Sequence, residues 1–302
     1  MKGIAPMSTT VVGSFPASPP VNSLLRYCRE GADPFGESMR DAIEVQISAG
    51  IDIVSDGQTR NDMVKLFASK LGGIRMRGRP VIIGEIEYKS QITVPDQIEA
   101  RKMIGARAKL KGIITGPFTL AKSCEDRHYG STEKSAMAFA EALNREARAL
   151  SEIVDLLQVD EPFFSVEYPG YSHDLVSAMF SGVSVPKALH VCGDVARIFP
   201  GLAELPVDIL DHEFAAHPEL LDTVSETDFP QMLGFGCIRS DVNQAESVAE
   251  ISERIKKGIA CVGEKRLVLD PDCGLRHLSR EVAKAKLENL VKARNAVMED
   301  ES

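Results

Sequence analysis

Tryptophan is absent from the 302 residues, and the other aromatics are only five Tyr and twelve Phe. So thin a supply of flat rings makes a poor stacking platform for single-stranded nucleic acid. Positive charge is in deficit: 44 Asp and Glu stand against 35 Lys and Arg, a formal net charge of −9. That balance argues against any broad grip on a phosphate backbone, so no nucleic-acid partner is expected. No apolar run reaches the ~18 residues of a membrane span, so no membrane partner is expected either. The first residues lack the long apolar stretch of a signal peptide. Six cysteines are too few for a disulfide scaffold. Without an export signal they are expected to be free thiols or metal ligands in a reducing cytoplasm. Gly-rich phosphate turns are missing as well. The first apolar run ends Gly13-Ser14-Phe15-Pro16, with neither a Gly-x-Gly-x-x-Gly turn nor a Walker-type lysine. An open, doubly wound nucleotide-binding sheet would normally carry one of these.

What is present is ordinary in amount, with 44% hydrophobic and 26% charged residues, and regular in arrangement. Eight short apolar, β-branched runs recur at residues 9–13, 51–55, 110–115, 156–159, 188–191, 207–210, 232–238 and 266–269. Stretches of helical period separate them, at 38–48, 60–71, 131–154, 172–181, 246–258 and 279–298. Near-continuous apolar strands alternating with helices fit a closed parallel sheet with both faces covered. The expected fold is therefore α/β: a single (β/α)8 TIM barrel over residues 1–302, one domain. A β-hairpin inserted near residues 79–94 is expected to stand off the barrel.

A parallel barrel builds its active site at the carboxyl ends of its strands. Each predicted strand delivers polar groups there: Ser14, Asp56 to Gln58, Thr115, Asp160 and Glu161, His190 and Cys192, Asp211 to Glu213, Arg239 to Asp241, and Asp270 to Cys273. His190 and Cys192 share one face, because strand side chains alternate with period two. A carboxylate from the sixth strand end and Cys273 from the eighth would complete four soft-to-borderline ligands. Such a set favours zinc. Glu213 is the preferred third ligand, with Asp211 and His212 competing; Asp211 and Glu213 share a face and His212 takes the other. Cys28, Cys124, Cys237 and Cys261 read as packing thiols.

Taken together, these stretches resemble the catalytic C-terminal barrel of the cobalamin-independent methionine synthases. The resemblance runs through Thr-Val-Val-Gly-Ser-Phe-Pro at 10–16, Asp-Gly-Gln-Thr-Arg-Asn-Asp-Met-Val at 56–64 and Thr-Gly-Pro at 115–117. It continues through Gln-Val-Asp-Glu-Pro at 158–162, His190-Val191-Cys192, Glu213, and Asp-Pro-Asp-Cys-Gly-Leu at 270–275. It implies a (β/α)8 barrel holding one Zn2+ on His190, Cys192, Glu213 and Cys273. It implies a zinc-dependent methyltransferase that methylates the thiol of L-homocysteine to L-methionine. Gly13 and Ser14 would hold the substrate carboxylate and Asp160 its ammonium group. Gln58 falls where the family has a glutamate.

Two departures concern the methyl donor. The second, N-terminal barrel of full-length members has no counterpart in these residues, and the family's catalytic histidine after the seventh strand is replaced by Asp241. Either Asp241 is a general acid with a raised pKa, or the donor needs no protonation. A methylcorrinoid, free methylcobalamin or one delivered by a corrinoid protein, meets the second condition; a methylated pterin needs the first. Competing functions are a corrinoid-linked zinc methyltransferase for another thiol such as coenzyme M, and a non-catalytic barrel that binds zinc or a thiol amino acid. A basic cluster (Lys70, Arg75, Arg77, Arg79, Arg101, Lys102, Arg107, Lys109 and Lys111) flanks the expected hairpin and is either a solvated face or a dock for an acidic partner.

Overall fold

The computed structural model describes residues 3–17, 33–60 and 62–300. Ten strands are numbered here in chain order. Seven form one parallel sheet: β1 (Ile53–Val54), β4 (Lys109–Thr115), β6 (Leu156–Asp160), β7 (Lys187–His190), β8 (Ile209–Glu213), β9 (Met232–Ile238) and β10 (Leu267–Pro271), hydrogen-bonded in that order. The sheet curls until its two edges nearly meet. Thr9 bridges Leu269 on β10, and Thr10 bridges Ile53 on β1. The expected first strand at 9–13 is thus reduced to two residues that close the barrel. Its next two carbonyls are taken by side chains from inside: Lys111 Nζ donates to the Val11 carbonyl at 2.7 Å and Gln158 Nε2 to that of Val12 at 2.9 Å. Acceptors engaged in this way do not extend the ladder.

Period-two alternation stacks the barrel interior in layers. Ile53, Leu156, Ala188, Ile209, Met232 and Val268 converge with Ile4 in a buried apolar cluster. Two residues further along, the same strand faces carry Gln158, His190, Asp211, Gly234 and Asp270, and Lys111 on β4 joins them; all the polar ones are buried. An apolar floor therefore supports a polar layer beneath the rim. Gly234 is needed at this level, because a Cβ there would lie 2.6 Å from that of Asp211. The larger apolar core lies between the sheet and the outer helices. Helix Val248–Val262 begins with a capping box, Ser247 and Glu250 satisfying each other's backbone amides.

The inserted hairpin exists but is displaced along the chain. Its arms are β2 (Leu71–Arg77) and β3 (Arg79–Tyr88), antiparallel, with β5 (Glu125–Asp126) added parallel to β3. Residues 91–94, the end of the span expected for the hairpin, lead instead into helix Val94–Ile104. The cause is distant in sequence. Glu146, fully buried on helix Thr132–Leu150, accepts hydrogen bonds from the amides of Ile92, Thr93 and Val94 and from the Tyr88 hydroxyl. Those amides serve a helix start in place of a strand ladder. The hairpin also does not stand free: Ile82 and Ile86 are buried in the main core.

The basic cluster largely dissolves into internal pairs. Arg101 meets Asp155 at 2.6 Å, Lys102 meets Glu99 at 2.6 Å and Arg107 meets Glu44 at 2.7 Å. Arg79 donates to the carbonyls of Lys122, Ser123 and Cys124, and Lys111 is inside the barrel. Lys70, Arg75 and Arg77 are exposed and form no ion pair among the described residues. No described helix is long and apolar enough to cross a membrane.

Candidate functional site

His190, Cys192 and Cys273 come together at the carboxyl end of the barrel. Their ligand atoms lie within 4.8 Å of one another, although the residues come from the ends of β7 and β10. Both ring nitrogens of His190 are buried without a hydrogen bond. Asp211 Oδ1 lies 3.2 Å from Nδ1, close enough for attraction but off the line of a hydrogen bond. Burial alone would lower the His190 pKa, yet the adjacent Asp211 carboxylate outweighs it and drives the pKa well up. The neighbouring Cys192 thiol and burial push the Cys273 thiol far up, opposed by His190. Imidazole nitrogens without a hydrogen bond beside two thiols form a donor set suited to a soft-to-borderline cation, which would draw the thiols into thiolates. Zinc fits these residues.

Glu213 ends β8 but is not part of that tight trio. Its Oε2 lies 3.7 Å from His217 Nε2. Asp211 projects beneath His190, and His212 faces away, its Nδ1 3.1 Å from the Val191 carbonyl oxygen. Of the other cysteines, Cys124 and Cys237 are buried and Cys261 is half-buried, all free thiols; Cys28 lies outside the described residues.

Gly13 and Ser14 sit on the same rim beside Cys273: the Leu275 amide donates to the Ser14 carbonyl at 2.7 Å, and a Cβ at Gly274 would run into Ser14 Oγ. A Cβ at Gly13 would lie 2.6 Å from Ile113 Cδ1 and 2.8 Å from Gln58 Oε1, so a larger residue would displace these two side chains. Gln58 itself adopts a left-handed φ of 45°, costly for a residue with a side chain. Its backbone amide donates to Asp56 Oδ1 at 3.0 Å, and its backbone carbonyl accepts from Arg276. Strain held in place by neighbours is a frequent mark of a functional position. Ser14 and Gln58 line a cavity of about 270 Å³ together with Asp56, Arg60, Asp96 and His277. Asp160 is not in that lining. It is 7% exposed at the end of β6, and burial raises its pKa, an effect opposed by His190, Gln158 and Lys111.

Asp241 does not behave as a raised acid. It is exposed, and Arg239 holds its two oxygens at 2.7 and 2.5 Å. That guanidinium lowers its pKa, so near neutrality Asp241 is an anion with no proton to give.

Asp96 and His277, not among the expected rim groups, join the cavity lined by Ser14 and Gln58, beside the expected Asp56. Asp56 is buried, and burial, with Asp96 nearby, pushes its pKa up to about 6. An acid raised from 3.8 to about 6 binds more protons folded than unfolded, so stability falls as pH rises through that window. The loss is about 3 kcal/mol at ~1.4 kcal/mol per unit. Asp56→Asn is expected to flatten this part of the pH–stability curve and raise stability at pH 8, read by urea melts at pH 4.5 and 8. An unchanged pH slope would contradict it.

Against known proteins, residues 7–296 match the family model for the cobalamin-independent synthase catalytic domain. A methionine synthase from Methanothermobacter marburgensis is 39% identical, the alignment covering 95% of this chain and 99% of that protein. One from Methanocaldococcus jannaschii is 34% identical, covering 95% and 98%. The solved B12-independent methionine synthase of a Shewanella species, in complex with selenomethionine, superposes with a TM-score of 0.84 at 26% identity, covering 98% of this chain and 99% of that one. Barrel, rim motifs and relatives agree: the chain belongs to the cobalamin-independent methionine synthase family and is a methyltransferase on that family's catalytic barrel.

Proposed function

We propose that this protein is a single catalytic barrel that transfers a methyl group to the thiol of L-homocysteine, giving L-methionine, with one Zn2+ per chain. The observation that carries this reading is the His190, Cys192 and Cys273 cluster, three soft-to-borderline ligands within 4.8 Å at the mouth of a barrel. The complex of the Shewanella protein with selenomethionine supports an amino-acid ligand here by similarity.

His190, Cys192 and Cys273 would hold the metal, with Glu213 as fourth ligand reached by a side-chain turn away from His217. Bound there, the dication supplies Lewis acidity that makes a thiol a thiolate at neutral pH. Asp211 steadies the His190 ring electrostatically. Gly13 and Ser14 receive the substrate carboxylate, Asp160 its ammonium group, and Gln58 adds a neutral amide contact. Positioning of this kind can contribute ~7–11 kcal/mol toward the barrier. A reducing cytoplasm suits a pair of metal-binding thiols.

The donor we infer is a methylcorrinoid. A methylated pterin needs a proton on its leaving nitrogen, and Asp241, paired with Arg239, is not poised to give one. Cobalt leaves as Co(I) without protonation. The exposed Arg75 and Arg77 would meet an acidic corrinoid protein. The test is a donor panel with homocysteine fixed: free methylcobalamin, a methylated corrinoid protein and methylated pterins. Wild type is expected to use the corrinoids. Arg75→Glu with Arg77→Glu is expected to raise KM for the corrinoid protein about tenfold, leaving free methylcobalamin unchanged. Exclusive use of a methylated pterin would overturn the donor assignment, and equal effects on both corrinoids would remove the dock.

A further inference from the structure

Gln158 occupies the centre of a chain of hydrogen bonds that runs between the two halves of the proposed amino-acid pocket. Its Nε2 donates to Asp160 Oδ1 at 2.7 Å and to the Val12 carbonyl at 2.9 Å. Its Oε1 accepts from Lys111 Nζ at 2.7 Å, and the same ammonium donates to the Val11 carbonyl at 2.7 Å. Gln158 is fully buried and Lys111 is 1% exposed. Lysine only donates, so the amide oxygen must face it. The amide nitrogen must then face Asp160 and Val12, so its orientation follows from its neighbours. Val12 immediately precedes Gly13 and Ser14, the segment proposed for the carboxylate; Asp160 is the acid proposed for the ammonium. One amide thus ties both sides of the pocket to each other. Asp160 Oδ2 takes no hydrogen bond among the described residues, which leaves an acceptor for a ligand.

We infer that Gln158 is a positioning residue that sets the spacing between the ammonium and carboxylate subsites, and that Lys111 holds its amide in the required orientation. The inference rests on the amino-acid pocket proposed above. It makes Gln158 a determinant of specificity for α-amino acid thiols over thiols without the amino group. A carboxylate held by one oxygen in a dry setting keeps the other aimed, so an ammonium finds a preorganised partner. Without that hold, Asp160 must be ordered by the ligand at the expense of binding.

The test is calorimetric binding of L-homocysteine and of 4-sulfanylbutanoate, its analogue without the amino group, to zinc-loaded protein. Wild type is expected to prefer homocysteine by 100-fold or more. Gln158→Met, close in length, is expected to weaken homocysteine binding about tenfold to a hundredfold, with 4-sulfanylbutanoate within threefold of wild type and zinc still about one per chain. Should the single variant leave Lys111 too poorly paired to fold, Lys111→Met with Gln158→Met removes the buried charge, and the same loss of discrimination is expected. Equal weakening of both ligands would mean a merely structural role and overturn the inference. Retained discrimination in the folded double variant would also overturn it. A wild type that binds both ligands alike would overturn the pocket assignment itself, a result distinct from either.

Discussion

Cys273→Ser is expected to abolish methyl transfer to homocysteine, by about a thousandfold or more, and to take bound zinc from about one per chain to a small fraction. Substitutions that only support a metal ligand already cost ~10–100-fold in affinity or activity, so removing a ligand itself should cost more. Serine keeps the size and the hydrogen-bonding reach but replaces a soft thiolate donor with a hydroxyl that stays protonated near pH 7. The Cys273 thiol itself resists ionisation in this pocket, held up by Cys192 and by burial, so the metal must supply what the protein surroundings oppose. Chelation of the wild type is expected to lower Tm and to release protons when zinc is returned, because ligand thiols ionise on binding. Metal analysis and methionine formation measured on the same sample decide the matter. A Cys273→Ser protein with full zinc and full activity would falsify the ligand assignment.

Asp160→Asn is the second large effect. It keeps the shape and the hydrogen bond from Gln158 but removes the charge proposed to meet the substrate ammonium. A lost charge-assisted hydrogen bond of ~1.5–3 kcal/mol corresponds to about tenfold to a hundredfold or more in homocysteine KM, with zinc content unchanged. The pH dependence follows from the direction of the Asp160 shift. Burial raises its pKa above 3.8, so the ionised form that binds an ammonium is lost at a higher pH than for an exposed aspartate. Wild-type homocysteine affinity should therefore fall as pH drops through the raised pKa, and Asp160→Asn should be flat there. A variant with unchanged KM and the wild-type pH profile would place the ammonium elsewhere.

Much of this molecule is readable along the chain, for local reasons. Strands buried on both faces appear as apolar runs, so seven of the eight expected strands recur at nearly the same residues. His190 and Cys192 could be paired from alternation alone. Boundaries failed where a distant group took over the backbone. The hairpin was misplaced because Glu146, more than fifty residues away, captures the amides of Ile92, Thr93 and Val94. The first strand was shortened because Lys111 and Gln158 take the carbonyls of Val11 and Val12. The basic run dissolved because Asp155, Glu99 and Glu44 answer Arg101, Lys102 and Arg107.

By itself the amino-acid sequence determined the barrel, its order of strands and the rim residues that bear thiols, imidazole and carboxylates. These follow from periodicity, a property of neighbouring residues. Only the closed tertiary structure decided which of those groups meet. Closure brings Cys273 to His190 and Cys192 and buries Lys111 against Gln158. Contacts across a barrel depend on stagger and side-chain direction, and burial sets the charge state of what they bring together; neither is written in the spacing of residues along a strand.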